Sequence, residues 1–252
     1  MDISEFSRLE DKNVYLRHPW ETSRIKVLLK QLKDSGIKFP VDRIVDIGGG
    51  DAYVIHSLLT HKLSKEYIAI DTAYTPDVIE QLKINNNNSP VVYISDLNTY
   101  NQLYDNDATT LYLCMDVLEH VPNEGIILDL LRKDNNYCFF TVPAFQSVFS
   151  GHDVLLGHYR RYSLKQFNNV LSAHGFKVID KGYFFTSLLF LRNVEKYLKK
   201  DANESIDNWN GGKLKTAFIN SVLGIDFIIS STLKKITGLT LPGLSCYCLC
   251  KK

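Results

Sequence analysis

Two carboxylates and three consecutive glycines lie close together early in this 252-residue sequence. Asp46 stands two residues before the Gly48-Gly49-Gly50 run, and Asp71 ends a second short apolar run. Glycines let bare backbone N–H groups approach a ligand, because a Cβ atom would keep that ligand away. A carboxylate beside the turn suits a ligand with a cationic group better than a pyrophosphate. Asp71 has the spacing expected of an acid that binds a ribose. The two acids together therefore favour a ligand that carries both a cationic group and a ribose.

A second group of candidate residues lies in the sequence Asp116-Val-Leu-Glu119-His120, which directly follows an apolar run. If that run is a strand, these side chains lie over the crevice where open α/β sheets bind ligands. His120 can deprotonate a hydroxyl group, because its unperturbed pKa lies near neutral pH. The alternative is a histidine at a helix start that bonds a neighbouring carbonyl.

Residues 144–162 follow neither the helical nor the strand period. Segments of this length inside a compact domain are usually functional or disordered. This one is rich in aromatic residues, histidine and arginine, which favours an ordered loop that binds substrate. His152 and His158 are candidate bases, and Asp153 can orient an imidazole.

The end of the same loop carries two arginines between tyrosines. Arg160 and Arg161 can clamp a carboxylate or a phosphate. Tyr162 and Tyr159 offer ring faces to a cation or a sugar. The alternative is that the arginine and tyrosine side chains only fasten the loop to its neighbours.

The three histidines, with Asp116, Glu119 and Asp153, also raise the hypothesis of a metal site. No two of the histidines have the helical His-x-x-x-His spacing, so the sequence predicts no metal.

Five cysteines without Cys-x-x-Cys spacing argue against a disulfide framework. We therefore expect reduced thiols and a cytoplasmic setting, since the N-terminus also lacks the features of a secretory signal.

These candidate residues need elements that bring them to one edge of a sheet. The apolar run at 43–47 predicts a buried strand, and the apolar spacing that begins at Val54 predicts a helix after the glycine turn. Further strands are predicted at 67–71, 91–94, 110–115, 137–142, 176–185 and 239–250. Helical spacing links most of them, as expected for strands that alternate with helices.

The pattern Asp46-x-Gly48-x-Gly50 followed by Asp71 resembles the S-adenosylmethionine (SAM) site of class I methyltransferases. Asp116-Val-Leu-Glu-His-Val after a strand resembles the type 11 and 12 methyltransferase domains. One departure is Ala52, where the family often has a third glycine. The loop from 142 to 163 resembles that of a bacterial methyltransferase subgroup associated with envelope polysaccharide biosynthesis and glycolipid assembly.

The resemblance implies which residues bind SAM. Asp96 would accept a hydrogen bond from the adenine amino group, and Leu97 would pack on the ring; the alternative for Asp96 is to cap the next turn. The implied cofactor-binding residues are Asp46, Gly48, Gly49, Gly50, Asp71, Thr72, Asp96, Leu97, Met115 and Asp116.

The implied fold is a Rossmann-like α/β sheet of seven mostly parallel strands flanked by helices, with the last strand antiparallel. We expect a single domain over 1–252, with an N-terminal helical segment at 1–40 and a helical insertion at about 186–240. His18, Trp20 and Arg24 are further candidates to line the site; the favoured alternative is a packed N-terminal helix with Trp20 as its anchor. The insertion would cover the substrate, form a homodimer contact or lie on a membrane surface.

The expected activity is SAM-dependent methylation of a small-molecule or lipid-linked sugar acceptor, on oxygen. The alternatives are an NAD(P)-dependent oxidoreductase and a non-catalytic subunit with the same fold. Tyr53 stands where a dinucleotide site has its third glycine, which disfavours the oxidoreductase. A net charge of +1 and the absence of a basic stripe argue against nucleic acid as a partner. We expect a cytoplasmic protein, with membrane contact, if any, at the inner face.

Overall fold

The computed structural model describes residues 17–104, 107–131, 136–197 and 212–252, and within them the strands form one seven-stranded sheet. The strands are β1 (Val41–Ile47), β2 (Ser64–Ile70), β3 (Val91–Ile94), β4 (Thr110–Met115), β5 (Tyr137–Pro143), β6 (Lys177–Phe184) and β7 (Ser245–Lys251). The α-helices are α1 (Pro19–Asp34), α2 (Tyr53–Leu59), α3 (Pro76–Asn85), α4 (Leu97–Leu103), α5 (Gly125–Leu128), α6 (Gly151–Leu155), α7 (Leu164–Ala173), α8 (Thr186–Tyr197) and α9 (Gly212–Thr237).

The strand order is β3-β2-β1-β4-β5-β7-β6. Strands β1 to β5 pair in parallel, while β7 runs antiparallel to both β5 and β6. The strand order reverses between β1 and β4, and open α/β sheets bind ligands beyond the carboxyl ends of the strands at such a point. The fold class predicted from the sequence is confirmed.

Strand β4 and the Ile44-Val45 centre of β1 are apolar on both faces, because parallel strands in such a sheet are covered on both sides. Ile44 and Val45 are adjacent, so their side chains point to opposite faces of the sheet. Ile44 belongs to the apolar cluster that includes side chains of α1, α2, α3 and α9, whereas Val45 belongs to the cluster that includes side chains of α4, α5 and α7. Both side chains are fully buried, and the sheet is therefore the middle of three layers.

The helical insertion before the last strand is also confirmed, as α8 and α9. Asp226, in the middle of α9, accepts hydrogen bonds from the backbone N–H and hydroxyl of Ser187 and so joins the two helices. Asn220 accepts from the hydroxyl of Thr22, which joins α9 to α1. The polar segment at 198–211 and the first 16 residues lie outside the described residues.

The loop at 144–162 has more regular structure than its sequence pattern predicts. It contains a 3-10 turn at Gln146–Val148 and the short helix α6. Ser150 and Asp153 form a capping box at the start of α6. A helix this short has no room for a periodic apolar stripe, so the sequence pattern did not reveal it.

Candidate active site

The glycine turn brings backbone N–H groups to the carboxyl end of β1. Gly48 N and Gly49 N both donate to the carbonyl of Ile70, at 2.8 and 3.0 Å, which ties the turn to β2. Gly48 has φ +72°, and a Cβ atom there would lie 2.5 Å from Val117 Cγ2. Glycine is therefore required at this position both by backbone conformation and by packing.

Asp46 is a buried carboxylate next to this turn. Its Oδ2 has no hydrogen-bond partner among the described residues. Burial is the main cause of a rise in the pKa of Asp46 to about 7; Arg24 opposes the rise, and the nearby acids Asp71 and Asp51 add to it. A carboxylate held in this way is poised to receive a cationic group, because a cation would stabilise its ionised form.

Asp71 braces the turn from the end of β2. Its Oδ2 accepts from Gly50 N and its Oδ1 from Ala73 N, each at 3.0 Å. Burial raises the pKa of Asp71 although both hydrogen bonds oppose the shift. Thr72 follows with an exposed side chain.

Two guanidinium groups enter the site from the region of α1. Arg24 Nη2 lies 2.9 Å from Asp116 Oδ2, and Arg17 Nη2 lies 2.5 Å from Asp51 Oδ2. Arg17 also stacks 4.0 Å above the ring of Tyr53. Arg24 was a sequence candidate, whereas Arg17, Asp51 and Tyr53 were not recognised as parts of the site.

A small cavity of about 40 Å³ lies between these groups. It is lined by Arg17, Glu21, Arg24, Ile25, Asp46, Gly48, Gly49, Asp51, Tyr53, Val54 and Met115. Both arginine side chains line this cavity beside the turn. His18 instead caps α1 by accepting from Trp20 N, and the Trp20 ring lies beneath Arg24.

The end of β4 lies beside this cavity. Asp116 has φ +57°, and its Oδ1 accepts from the hydroxyl of Thr141 at 2.9 Å. Such a conformation is strained for an aspartate, and strain of this kind concentrates at functional sites. Asp96, at the end of β3, caps α4 by accepting from Thr99 N, and Leu97 is buried. The contact of Asp96 and Leu97 with adenine remains a prediction.

Two of the three predicted histidines meet. The rings of His120 and His158 pack edge to face with centroids 4.6 Å apart. Tyr159 N donates to the carbonyl of Glu119 at 2.8 Å, which holds the loop against the 3-10 turn at Leu118–His120. His152 lies on α6, and its catalytic role stays a prediction.

The remaining loop residues contact protein partners. Arg161 Nε donates to Asp153 Oδ1 at 2.7 Å and is buried. Arg160 pairs with Glu124 at 2.8 Å, and the Tyr162 hydroxyl donates to the same carboxylate at 2.7 Å. These contacts fasten the loop, and a substrate clamp formed by Arg160 and Arg161 stays a prediction.

The fold can be compared with solved structures. A protein of Galdieria sulphuraria described as a sarcosine dimethylglycine methyltransferase has a TM-score of 0.54, 11% identity, and alignment over 91% of this chain and 85% of its own. That protein shares its fold with this chain. The chain has the class I SAM-dependent methyltransferase fold.

Two further structures with the class I fold were solved with ligands. Phosphoethanolamine N-methyltransferase 2 of Haemonchus contortus, in complex with S-adenosyl-L-methionine, has a TM-score of 0.54 and 14% identity over 99% of this chain and 56% of its own. Coclaurine N-methyltransferase, bound to N-methylheliamine and SAH, has a TM-score of 0.54 and 15% identity. The alignment covers 100% of this chain and 79% of that protein's chain. No family model matches the sequence, and neither does any curated protein.

Proposed function

We propose that the protein binds SAM at the glycine turn and transfers its methyl group to a small-molecule acceptor. The observation that carries this proposal is the buried Asp46 carboxylate, whose Oδ2 has no partner among the residues that the structure describes and which lines one cavity with the glycine turn and two arginines. SAM supplies a methyl group on a cationic sulfur. Asp46 would face its cationic portion, and Arg17 and Arg24 would face its carboxylate.

The side chains beside the turn must move when the cofactor binds. A cavity of about 40 Å³ has room for a few water molecules, each needing about 10–15 Å³ of such space, and is too small for a nucleoside. Arg17 and Arg24 now pair with Asp51 and Asp116, and a ligand carboxylate would replace those partners. Asp71 would accept from ribose hydroxyls, and Asp96 and Leu97 would hold the adenine.

His120 and His158 supply the acceptor side of the proposed reaction. Methyl transfer is a direct displacement, so the protein must align the acceptor atom and remove its proton. His158 Nδ1 lies 2.9 Å from Asp153 Oδ1, which fixes the orientation of the imidazole. We infer that a hydroxyl oxygen is the methylated atom, with this pair of histidines receiving the proton.

The acceptor is proposed to be a lipid-linked sugar. The sugar follows from the resemblance of the loop, and the lipid from the surface of the insertion. Helix α9 is long and apolar enough to cross a membrane by length and composition alone. Its packed face contacts α1, and its other face exposes apolar side chains. We therefore propose a cytoplasmic enzyme that contacts the inner membrane face through α9.

The cofactor proposal is tested by calorimetric titration of the protein with SAM, SAH and methylthioadenosine. We expect all three to bind, because methylthioadenosine retains the nucleoside but lacks the amino-acid portion. Arg24→Gln should weaken SAM and SAH at least tenfold and leave methylthioadenosine unchanged. NADH is titrated in parallel by fluorescence. Binding of NADH but not of SAM or SAH would instead support the oxidoreductase.

A further inference from the structure

A cluster of potential metal ligands lies beside the proposed SAM site. Glu119, His120 and His158 each offer one ligand atom, and these atoms lie within 4.8 Å of one another. Glu119 is fully buried, and neither of its carboxylate oxygens has a hydrogen-bond partner among the described residues. A buried carboxylate without partners is costly to the fold, and it calls for a ligand or ion that satisfies it.

The surroundings of His158 are those of a metal ligand. Its Nδ1 is held by Asp153 Oδ1 at 2.9 Å, which leaves Nε2 to face the cluster. Asp153 is itself fixed by Arg161 Nε at 2.7 Å and by Ser150 N at 2.9 Å. Carboxylates of this kind orient metal-binding histidines and increase their basicity.

We propose that Glu119, His120 and His158 bind one divalent transition-metal ion. Two imidazoles and one carboxylate suit zinc, manganese, cobalt or ferrous iron better than magnesium or calcium, which prefer oxygen ligands. Around a tetrahedral ion with bonds of about 2.1 Å, ligand atoms lie roughly 3.4 Å apart. Modest side-chain rotations would close the cluster from its present spacing. Three protein ligands leave a coordination position for another molecule, as catalytic sites do.

A bound metal ion would activate the acceptor hydroxyl in place of the histidine base described above, and this part of the inference rests on the proposed function. A hydroxyl oxygen bound at the open position would have a lowered pKa and would release its proton to solvent water before it accepts the methyl group. The imidazole nitrogens that bind the ion are then not available as bases. The sequence prediction of no metal considered only helical spacing, whereas these ligands come from two separate segments.

The site is tested by metal binding alone. The full-length protein is stripped with a chelator, dialysed and titrated with Co²⁺ while its visible absorption is followed, and Zn²⁺ and Mn²⁺ are titrated by calorimetry. We expect one ion per chain, with Co²⁺ giving the intense bands of a site with few ligands. Glu119→Gln and His158→Ala should each weaken binding by at least tenfold.

The chain offers a matched control in His174, whose Nδ1 lies 2.6 Å from Asp129 Oδ1. His174→Ala removes a histidine from another histidine–carboxylate pair and should bind metal as the unmodified protein does. Circular dichroism and SAM affinity of the metal-free variants show whether they fold. Without metal, Glu119→Gln should be at least as heat-stable as the unmodified protein. Added Zn²⁺ should raise the melting temperature of the unmodified protein and of His174→Ala, but not that of Glu119→Gln.

The outcomes separate the metal site from the proposed function. If SAM binds but no stoichiometric metal does, or if folded Glu119→Gln and His158→Ala bind metal as tightly as the control, the metal site is wrong and the histidines remain candidate bases. If the metal binds with the expected variant pattern while SAM and SAH do not bind, the metal site stands and the methyltransferase proposal fails.

Discussion

Asp46 is where function and stability conflict at the scale of one residue. Its pKa is about 7 in the fold and 3.8 in the reference state, so the folded protein binds more protons than the unfolded chain between these values. The free energy of unfolding therefore falls as pH rises from about 4 to about 7, and the loss is complete above that range. The difference corresponds to about 4 kcal/mol, before any relaxation of the surroundings.

Asp46→Asn removes this ionisation and should stabilise the protein while impairing cofactor binding. We expect its free energy of unfolding, relative to the unmodified protein, to rise by about 1–3 kcal/mol between pH 5 and pH 8. SAM affinity of the unmodified protein should increase over pH 6–8 as Asp46 ionises, and that of the variant should be weak and flat. Urea unfolding and calorimetry at several pH values measure both quantities.

Asp42 provides the control on the same strand. It is partly exposed, and Lys65 lowers its pKa, so Asp42→Asn should give no gain in stability at pH 8 and no change in SAM affinity. Equal stability differences for Asp46→Asn at pH 5 and pH 8 would show that Asp46 is not the buried, protonated group described here.

At the scale of elements, the glycine turn between β1 and α2 depends on the absence of a side chain at Gly48. Gly48→Ala places a methyl group 2.5 Å from Val117 Cγ2 in a left-handed conformation. We expect a loss of about 2–4 kcal/mol in the free energy of unfolding, from conformational strain and overpacking. SAM binding should be lost as well, since the turn must shift to relieve the contact.

Gly175→Ala is the matched comparison for this substitution. Gly175 has φ +82° and no heavy atom within 4 Å of an added Cβ, so the variant carries the strain without the clash. It should lose about 1–2 kcal/mol and bind SAM normally. The argument about packing at Val117 is wrong if the two variants are equally destabilised.

The elements themselves could be predicted well from the sequence, and their contacts less well. The strand pattern, the glycine turn and the helical insertion follow from local periodicity and turn residues. Arg17 was missed because the approach of α1 to the turn depends on packing across the sheet. The meeting of Glu119 with His158 was missed for a related reason: the contact is made by a backbone hydrogen bond from Tyr159 to Glu119, which no sequence spacing encodes.

At the scale of the whole molecule, α9 is apolar on two opposite faces. Leu223 and Phe227 are buried against the core, while Phe218, Ile225 and Ile236 are 69%, 58% and 78% exposed. The exposed apolar residues of α9 recur at helical spacing along one stripe: Leu214, Phe218, Val222, Ile225, Ile229 and Ile236. Lysines stand at both ends of the helix, at 213, 215, 234 and 235. Lys234 and Lys235 pair with Asp180 and Asp34. The exposed apolar stripe itself, with Lys213 and Lys215 at the start of the helix, is what suits a helix that lies in a lipid interface.

This stripe should make the protein bind anionic vesicles. We expect the unmodified protein to float with vesicles of phosphatidylcholine and phosphatidylglycerol, and the double variant Phe218→Ser, Ile225→Ser to lose at least tenfold in partitioning, because apolar burial drives the interaction. The pair Ile84→Ser, Leu103→Ser removes comparably exposed apolar side chains elsewhere and should float normally. Molar mass is measured by light scattering in parallel. The lipid proposal would be wrong if the unmodified protein did not bind vesicles but formed a dimer, and if only the Phe218→Ser, Ile225→Ser variant were monomeric. That result would identify the stripe as a contact between two copies of the chain.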